Sequence, residues 1–195
     1  MHTLAQTGVP HISVYNLTVE PNTPFARRGV RVDEEQELGD YELADRVLSE
    51  YGLGRYEVSS HAKPGHEAKH NQVYWSGTHF LALGPSAASF VPSAGLLGER
   101  RTNPAMRAWL DSKPPEVLPI DSEMFVQDVL MTGLRTRRGV DLTSLSVRSG
   151  IDVSEHYAAK LERLTGAGLL EHCGPYLRTT SSGLLQLNRV VAAFF

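Results

Sequence analysis

Cysteine occurs once in these 195 residues, at Cys173. One thiol excludes an intramolecular disulfide, and it excludes any metal site built from several thiolates of this chain alone. It suits a reducing compartment. Long apolar runs are missing too: none approaches the ~20 residues that a membrane-crossing helix needs. The opening Met1-His2-Thr3-Leu4-Ala5-Gln6 has neither the basic head nor the apolar core of a secretion signal. The sequence therefore reads as a soluble, cytoplasmic protein. Positive charge is in no surplus, with 19 Lys and Arg against 22 Asp and Glu and a net charge of −3. A general polyanion binder needs the opposite balance. No Ser-His-Asp set, Cys-His pair or phosphate loop can be assembled, so a hydrolase has no support. What is present, 41% hydrophobic and 21% charged residues, is ordinary for one generous globular domain or two small ones.

Along the chain, the residues before Gly8 and Pro10 resemble the tail of a helix. His11-Ile12-Ser13-Val14-Tyr15-Asn16-Leu17 alternates as a strand does. One helix end and one strand bury nothing alone, so the start reads as cut from a larger αβ unit. Asp33 is expected to cap a helix over 34–51, with Leu38, Tyr41, Leu48 and Tyr51 on one face and Gly52 as its stop. Tyr56 to Ser59 is a strand candidate, Ser60 to Gly77 a polar ordered loop, and Phe80 to Gly84 a buried strand. Proline and polar residues over 111–121 mark a linker. Helices then follow over 122–135, 141–149 (from Asp141) and 153–166 (capped by Asp152). Leu169-Leu170 and Tyr176-Leu177-Arg178 flank a Gly174-Pro175 turn, and a last helix carries Leu184, Leu187 and Val190. Three helices and a hairpin form the winged-helix pattern.

Three ordered segments carry a resemblance. His11 to Pro24, with its Glu20-Pro21 turn, resembles the last barrel strand of oxygen-independent coproporphyrinogen oxidase-like radical-SAM proteins. Tyr56-Glu57-Val58-Ser59 through His70-Asn71-Gln72-Val73-Tyr74-Trp75 resembles the segment after it, and H-N-x-x-Y-W is associated with the family's haem-chaperone branch. Phe80-Leu81-Ala82-Leu83-Gly84-Pro85-Ser86-Ala87 resembles the next glycine-rich turn, and 125–195 the C-terminal domain. The resemblance implies an α/β fold: a remnant of a partial TIM-like barrel with its connecting region over 1–110, the linker over 111–121, and a winged-helix-like domain over 122–195. It also implies haem or another tetrapyrrole as ligand, haem-acceptor proteins as partners, and a missing N-terminal half bearing C-x-x-x-C-x-x-C for a [4Fe–4S] cluster and S-adenosylmethionine. Neither of those two is expected to be held by this chain, and no independent catalytic activity is expected of it. The family turn usually reads G-P-G-A-H-[GS]; here Ser86 replaces a glycine, which requires a negative φ, and Ala88 replaces a histidine.

Within that frame His70 is the candidate axial ligand for haem iron, with Asn71, Tyr74 and Trp75 beside it. The alternative is that His70 and Asn71 pin a loop while Tyr74 and Trp75 plug the barrel bottom. Thr18 and Ala88 match positions whose backbone lines the adenine end of S-adenosylmethionine in the family; plain strand-end packing is the alternative. His61, His66, His70 and His79 match no compact zinc motif and read as histidines of a solvated loop. Two other functions remain open: the C-terminal portion of a true coproporphyrinogen III oxidase, and a winged-helix DNA-binding protein. Glu155 and Glu162 balance Lys160 and Arg163 on the third helix, which argues against nucleic acid.

Overall fold

In the computed structural model the chain divides into two units, Met1–Glu67 and Ala68–Phe195. The structure describes residues 1–195, with the side chains of Glu34 and Leu96 outside the description. In the first unit, helix α1 (His2–Ala5) is followed by a turn that closes at Gly8, whose φ of 81° favours glycine. Strand β1 (His11–Ser13) is shorter than the alternation suggested, and Tyr15 and Leu17 are exposed. After the one-turn helix α2 (Pro24–Arg27), Asp33 caps α3 (Glu34–Glu50) by accepting from the Glu35 and Gln36 amides. That cap is as expected, but the buried stripe of α3 is Ala44, Val47 and Leu48, with Leu38 exposed. Strands β2 (Gly54–Arg55) and β3 (Ser60–Ala62) complete an antiparallel sheet ordered β1-β3-β2. The strand expected at Tyr56–Ser59 is instead the connection between them. Ala5, Ile12, Leu48 and Leu53 form the core of this unit, flanked by Val9, Val14 and Tyr51.

The second unit opens with helix α4 (Lys69–Trp75), so the polar stretch read as a loop holds both β3 and a helix. Polar side chains misled that reading: a single short helix needs few apolar residues, and Gly77 (φ 62°) ends it. The expected strand at Phe80–Gly84 is also absent. Phe80 makes only an isolated bridge to Phe90, and Leu81 and Leu83 are 80% and 93% exposed. Strands β4 (Ala88–Ser93), β5 (Leu96–Thr102) and, after helix α5 (Met106–Leu110), β6 (Glu116–Ile120) form an antiparallel sheet in sequence order. The second half of the proline-rich segment 111–121, read as a linker, is thus taken up by β6, with Arg100 opposite both Phe90 and Leu118.

Ser86 overturns the expectation of a negative φ: it sits at +58°. Its amide donates to Pro104 O, and the Asn103 side chain donates to Gly84 O at 2.8 Å, so the turn is held from outside. A left-handed serine costs about 1 kcal/mol. Ser86→Gly is therefore expected to raise the unfolding free energy by up to ~1 kcal/mol, reduced by the added freedom of the unfolded chain, while Ser86→Val lowers it. Chemical denaturation of both variants checks the opposite signs.

Helix α6 (Ser122–Gly133) follows, capped by Asp121, and strand β7 (Val140–Asp141) runs into α7 (Leu142–Ser149), capped by Asp141. The expected third helix is broken into α8 (Val153–His156), capped by Asp152, and α9 (Ala158–Gly166). The break is at Tyr157, whose hydroxyl donates to Glu123 of α6 at 2.6 Å. Strands β8 (Leu170–Cys173) and β9 (Tyr176–Thr179) make the expected hairpin, and β7 pairs with β9. The last helix is likewise two pieces, α10 (Ser181–Leu185) and α11 (Leu187–Ala192). Phe125, Val126, Leu130, Leu145, Val153, Leu177, Val190 and Phe194 are buried among these elements. No described helix is long and apolar enough to cross a membrane.

Candidate functional site

Helix α4 brings His70 and Tyr74 together because residues four apart share a helix face. Tyr74 Oη lies 2.7 Å from His70 Nε2, and their rings meet edge to face with centroids 4.9 Å apart. Tyr74 packs edge-on against Phe80 in turn, at 4.5 Å. His70 is exposed, while Asn71, Tyr74 and Trp75 are half-buried. At 3.6 residues per turn Trp75 points about 140° away from His70. A planar ligand on His70 would meet Tyr74 first, and the two aromatic residues do not form one flat face.

The C-terminal end of α4 is fastened by groups that the sequence did not announce. The Arg148 guanidinium donates to Ser76 O at 2.8 Å and Gly77 O at 2.5 Å, and stacks over Phe125. Burial lowers its pKa, yet it remains the cation that two orphan helix-end carbonyls require. Thr132 Oγ1 reaches Trp75 O at 3.4 Å. A Cβ at Gly77 would come 2.5 Å from Val129 Cγ2, so glycine sets the approach of α4 to α6.

The remaining candidates are dispersed. Thr18 lies in an irregular segment of the first unit, and Ala88 opens β4 in the second. His79 Nε2 is 2.9 Å from Leu97 O and its ring packs on Phe90. Among the described residues, no group of three or more His, Cys, Asp or Glu is placed to hold a metal ion. His61 corrects the solvated-loop reading: it is the central residue of β3 and is 2% exposed.

Around His61 is a buried polar cluster that the sequence reading missed. Arg55 pairs with Asp45 at 3.1 Å and lies over the Tyr41 ring at 4.5 Å. His61 Nε2 is 3.3 Å from Asp45 Oδ1, near enough for attraction but not aligned as a hydrogen bond. Both imidazole nitrogens, with Arg55 Nε and Nη1, are buried without hydrogen-bond partners among the described atoms. Burial lowers the His61 pKa below 6.5; Asp45 opposes that shift and Arg55 adds to it. The signal available in the sequence was Tyr41 and Asp45 one turn apart on α3. In the second unit, burial raises the Asp128 carboxyl despite its bond to Arg100 at 2.5 Å.

Comparison with known proteins places these features among relatives. The description of the HemN C-terminal domain matches residues 120–185. The haem chaperone HemW of Synechocystis sp. is 34% identical over 148 residues, covering 71% of this chain and 36% of that protein. HemW of Mycobacterium tuberculosis is 31% identical over 195 residues, covering 95% and 47%. HemW of Bacillus subtilis is 27% identical over 206 aligned positions, covering 100% and 53%. The chain thus spans about half the length of these relatives or less. The structure of the Escherichia coli coproporphyrinogen III oxidase HemN, a radical-SAM enzyme, superposes with a TM-score of 0.71 at 14% identity, over 98% of this chain and 49% of that one. That likeness is one of α/β fold.

Proposed function

Since the chain belongs to the oxygen-independent coproporphyrinogen oxidase-like radical-SAM family, as a C-terminal part of its HemW haem-chaperone branch, we propose that it binds haem on helix α4 for transfer to an acceptor protein. One observation carries this: an exposed imidazole, His70, stands on a helix fastened at its far end, with an aromatic ring beside it and the apolar Leu81 and Leu83 exposed in the same unit. That donor set fits haem as cargo, because imidazole is a common axial ligand and the macrocycle needs apolar surface. His70 supplies the ligand nitrogen, Tyr74 lies beside it, and Asn71 and Trp75 support the helix.

We read β1 as a remnant of a partial TIM-like barrel and residues 122–195 as the winged-helix-like domain, in a cytoplasmic setting. Thr18 and Ala88 would line the adenine end of S-adenosylmethionine only with the rest of a full-length protein. The residues present do not fit a [4Fe–4S] cluster, since a single Cys173 cannot supply three thiolates. The decarboxylating-oxidase reading rests on the fold and on the C-terminal domain match, whereas H-N-x-x-Y-W and the HemW relatives favour the chaperone. A DNA-reading role is disfavoured by where the cations go. Lys160 lies over Tyr157, Arg138 over Tyr176, and Arg178 is paired with Glu171.

The test is haemin titration followed by the Soret band, on the parent, His70→Ala and His66→Ala. Parent and His66→Ala are expected to bind alike, and His70→Ala about tenfold more weakly, the equivalent of ~1.4 kcal/mol. Equal binding by all three would mean adsorption to apolar surface and would remove the haem assignment.

A further inference from the structure

The hydrogen bond inside α4 bears on how its imidazole is used, an inference that rests on the haem reading above. Nε2 is the ring nitrogen farther from the backbone, and so the one that a bulky metal centre can approach. Tyr74 Oη sits 2.7 Å from it. In one tautomer the Nε2 lone pair accepts the tyrosine proton; in the other Nε2 carries a proton and donates it to the tyrosine oxygen. The lone pair that iron would use is occupied in both. The Tyr74 ring is itself held in place. It packs edge-on against Phe80 at 4.5 Å, and Phe80 is fixed by two backbone bonds to Phe90 of 2.7 and 3.0 Å.

We propose that Tyr74 is a lock on His70, whose hydroxyl must leave Nε2 before that nitrogen can bind the iron of ferric haem. In the tautomer with the proton on Nδ1, the Oη–H···Nε2 bond breaks and the hydroxyl turns to water. The Nε2 lone pair then forms the Fe–N bond, displacing a water or hydroxide from the iron. No oxidation state changes and His70 loses no proton. On release the hydrogen bond re-forms, so the lock favours departure as well as opposing arrival. That suits a site that must hand its cargo on, where tight retention would defeat transfer.

Tyr74→Phe removes the hydroxyl and keeps the ring on Phe80, so it isolates the lock. Two readouts are needed. One is the rate at which diethyl pyrocarbonate carbethoxylates His70 in the haem-free protein, assigned by mass spectrometry, with His66 as internal reference. The other is haemin affinity from the Soret band. Tyr74→Phe is expected to speed His70 modification and tighten haemin binding, each by roughly two- to tenfold, the range of one net hydrogen bond. Phe80→Leu, which loosens the ring and keeps the hydroxyl, should give an intermediate modification rate and confirms the result should Tyr74→Phe fold poorly. An unchanged His70 modification rate in both variants would overturn the lock. A faster rate with haemin affinity indifferent to both Tyr74→Phe and His70→Ala would leave the lock standing and remove the haem reading. Haemin binding that depends on His70 yet weakens in Tyr74→Phe would show Tyr74 holding bound haem, and would overturn the lock.

Discussion

Gly183→Ala is expected to lower the unfolding midpoint by about 6–12 °C. Gly183 sits in α10, where an added Cβ would lie 1.9 Å from Leu169 O, 2.8 Å from Leu169 C and 3.2 Å from Leu169 Cα. These are backbone atoms, so no side chain can swing aside. The same carbonyl accepts from the Thr180 amide at 3.1 Å, and Thr180 Oγ1 donates to Gly168 O at 2.6 Å while accepting from the Gly183 amide at 3.0 Å. Relief of the clash must therefore pull α10 off the turn between α9 and β8, breaking the cap and unseating Leu184 and Leu187, both buried. Overpacking plus a lost cap amounts to roughly 3 kcal/mol. At ~2–4 °C per kcal/mol for a chain of this size, that gives the stated drop. Gly166→Ala is the control: it is helical, and nothing lies within 4 Å of its added Cβ. Thermal denaturation by circular dichroism decides the matter. A Gly183→Ala midpoint matching that of Gly166→Ala would refute the close approach.

The two regions differ in how much of them the sequence disclosed, and the reason is physical. From residue 121 on, aspartates at 121, 141 and 152 cap helices by side-chain bonds to the amide three residues on, a signal that is local and therefore visible. Gly174 at φ 59° marks the hairpin in the same local way. What failed there were continuities. The break falls at Tyr157, whose hydroxyl partner Glu123 is 34 residues away, farther than a window along the chain reaches. Before residue 121 the errors are larger because non-local pairing decides the structure. Phe80–Gly84 is apolar enough for a buried strand, yet its neighbours left it one bridge and two exposed leucines. The site shows the same split. His70, Asn71, Tyr74 and Trp75 were picked out by their pattern, whereas Arg148, which holds the end of their helix, comes from 71 and 72 positions away.

His61→Leu is expected to stabilise the protein and to remove part of its sensitivity to acid. The side chain is 2% exposed on the central strand of the first unit, and among the described residues neither ring nitrogen has a well-aligned hydrogen-bond partner, Asp45 lying 3.3 Å from Nε2. A buried polar group left in that state costs about 1–3 kcal/mol, and leucine, close in volume to imidazole, avoids the cost without overpacking. Asp45 loses little, since it keeps Arg55 at 3.1 Å and is 34% exposed. The pH dependence follows from the direction of the shift. Burial depresses the folded pKa of His61 below the 6.5 expected when the chain is unfolded. Between those two values the unfolded state binds more protons than the folded one, so stability rises with pH there. The contribution of His61 is complete above 6.5 and is lost as pH falls from there through the folded pKa. Glu57, Asp45, Arg55 and Tyr41 face the same core and are common to both proteins, so the difference between parent and variant isolates the imidazole. Urea unfolding at pH 8 should show His61→Leu more stable by about 1–2 kcal/mol. Its advantage should widen as pH falls toward 5. A variant less stable than the parent at pH 8 would mean that the 3.3 Å contact with Asp45 outweighs the unsatisfied nitrogens. An advantage that stays constant from pH 8 to 5 would mean that His61 does not titrate differently in the folded and unfolded chain.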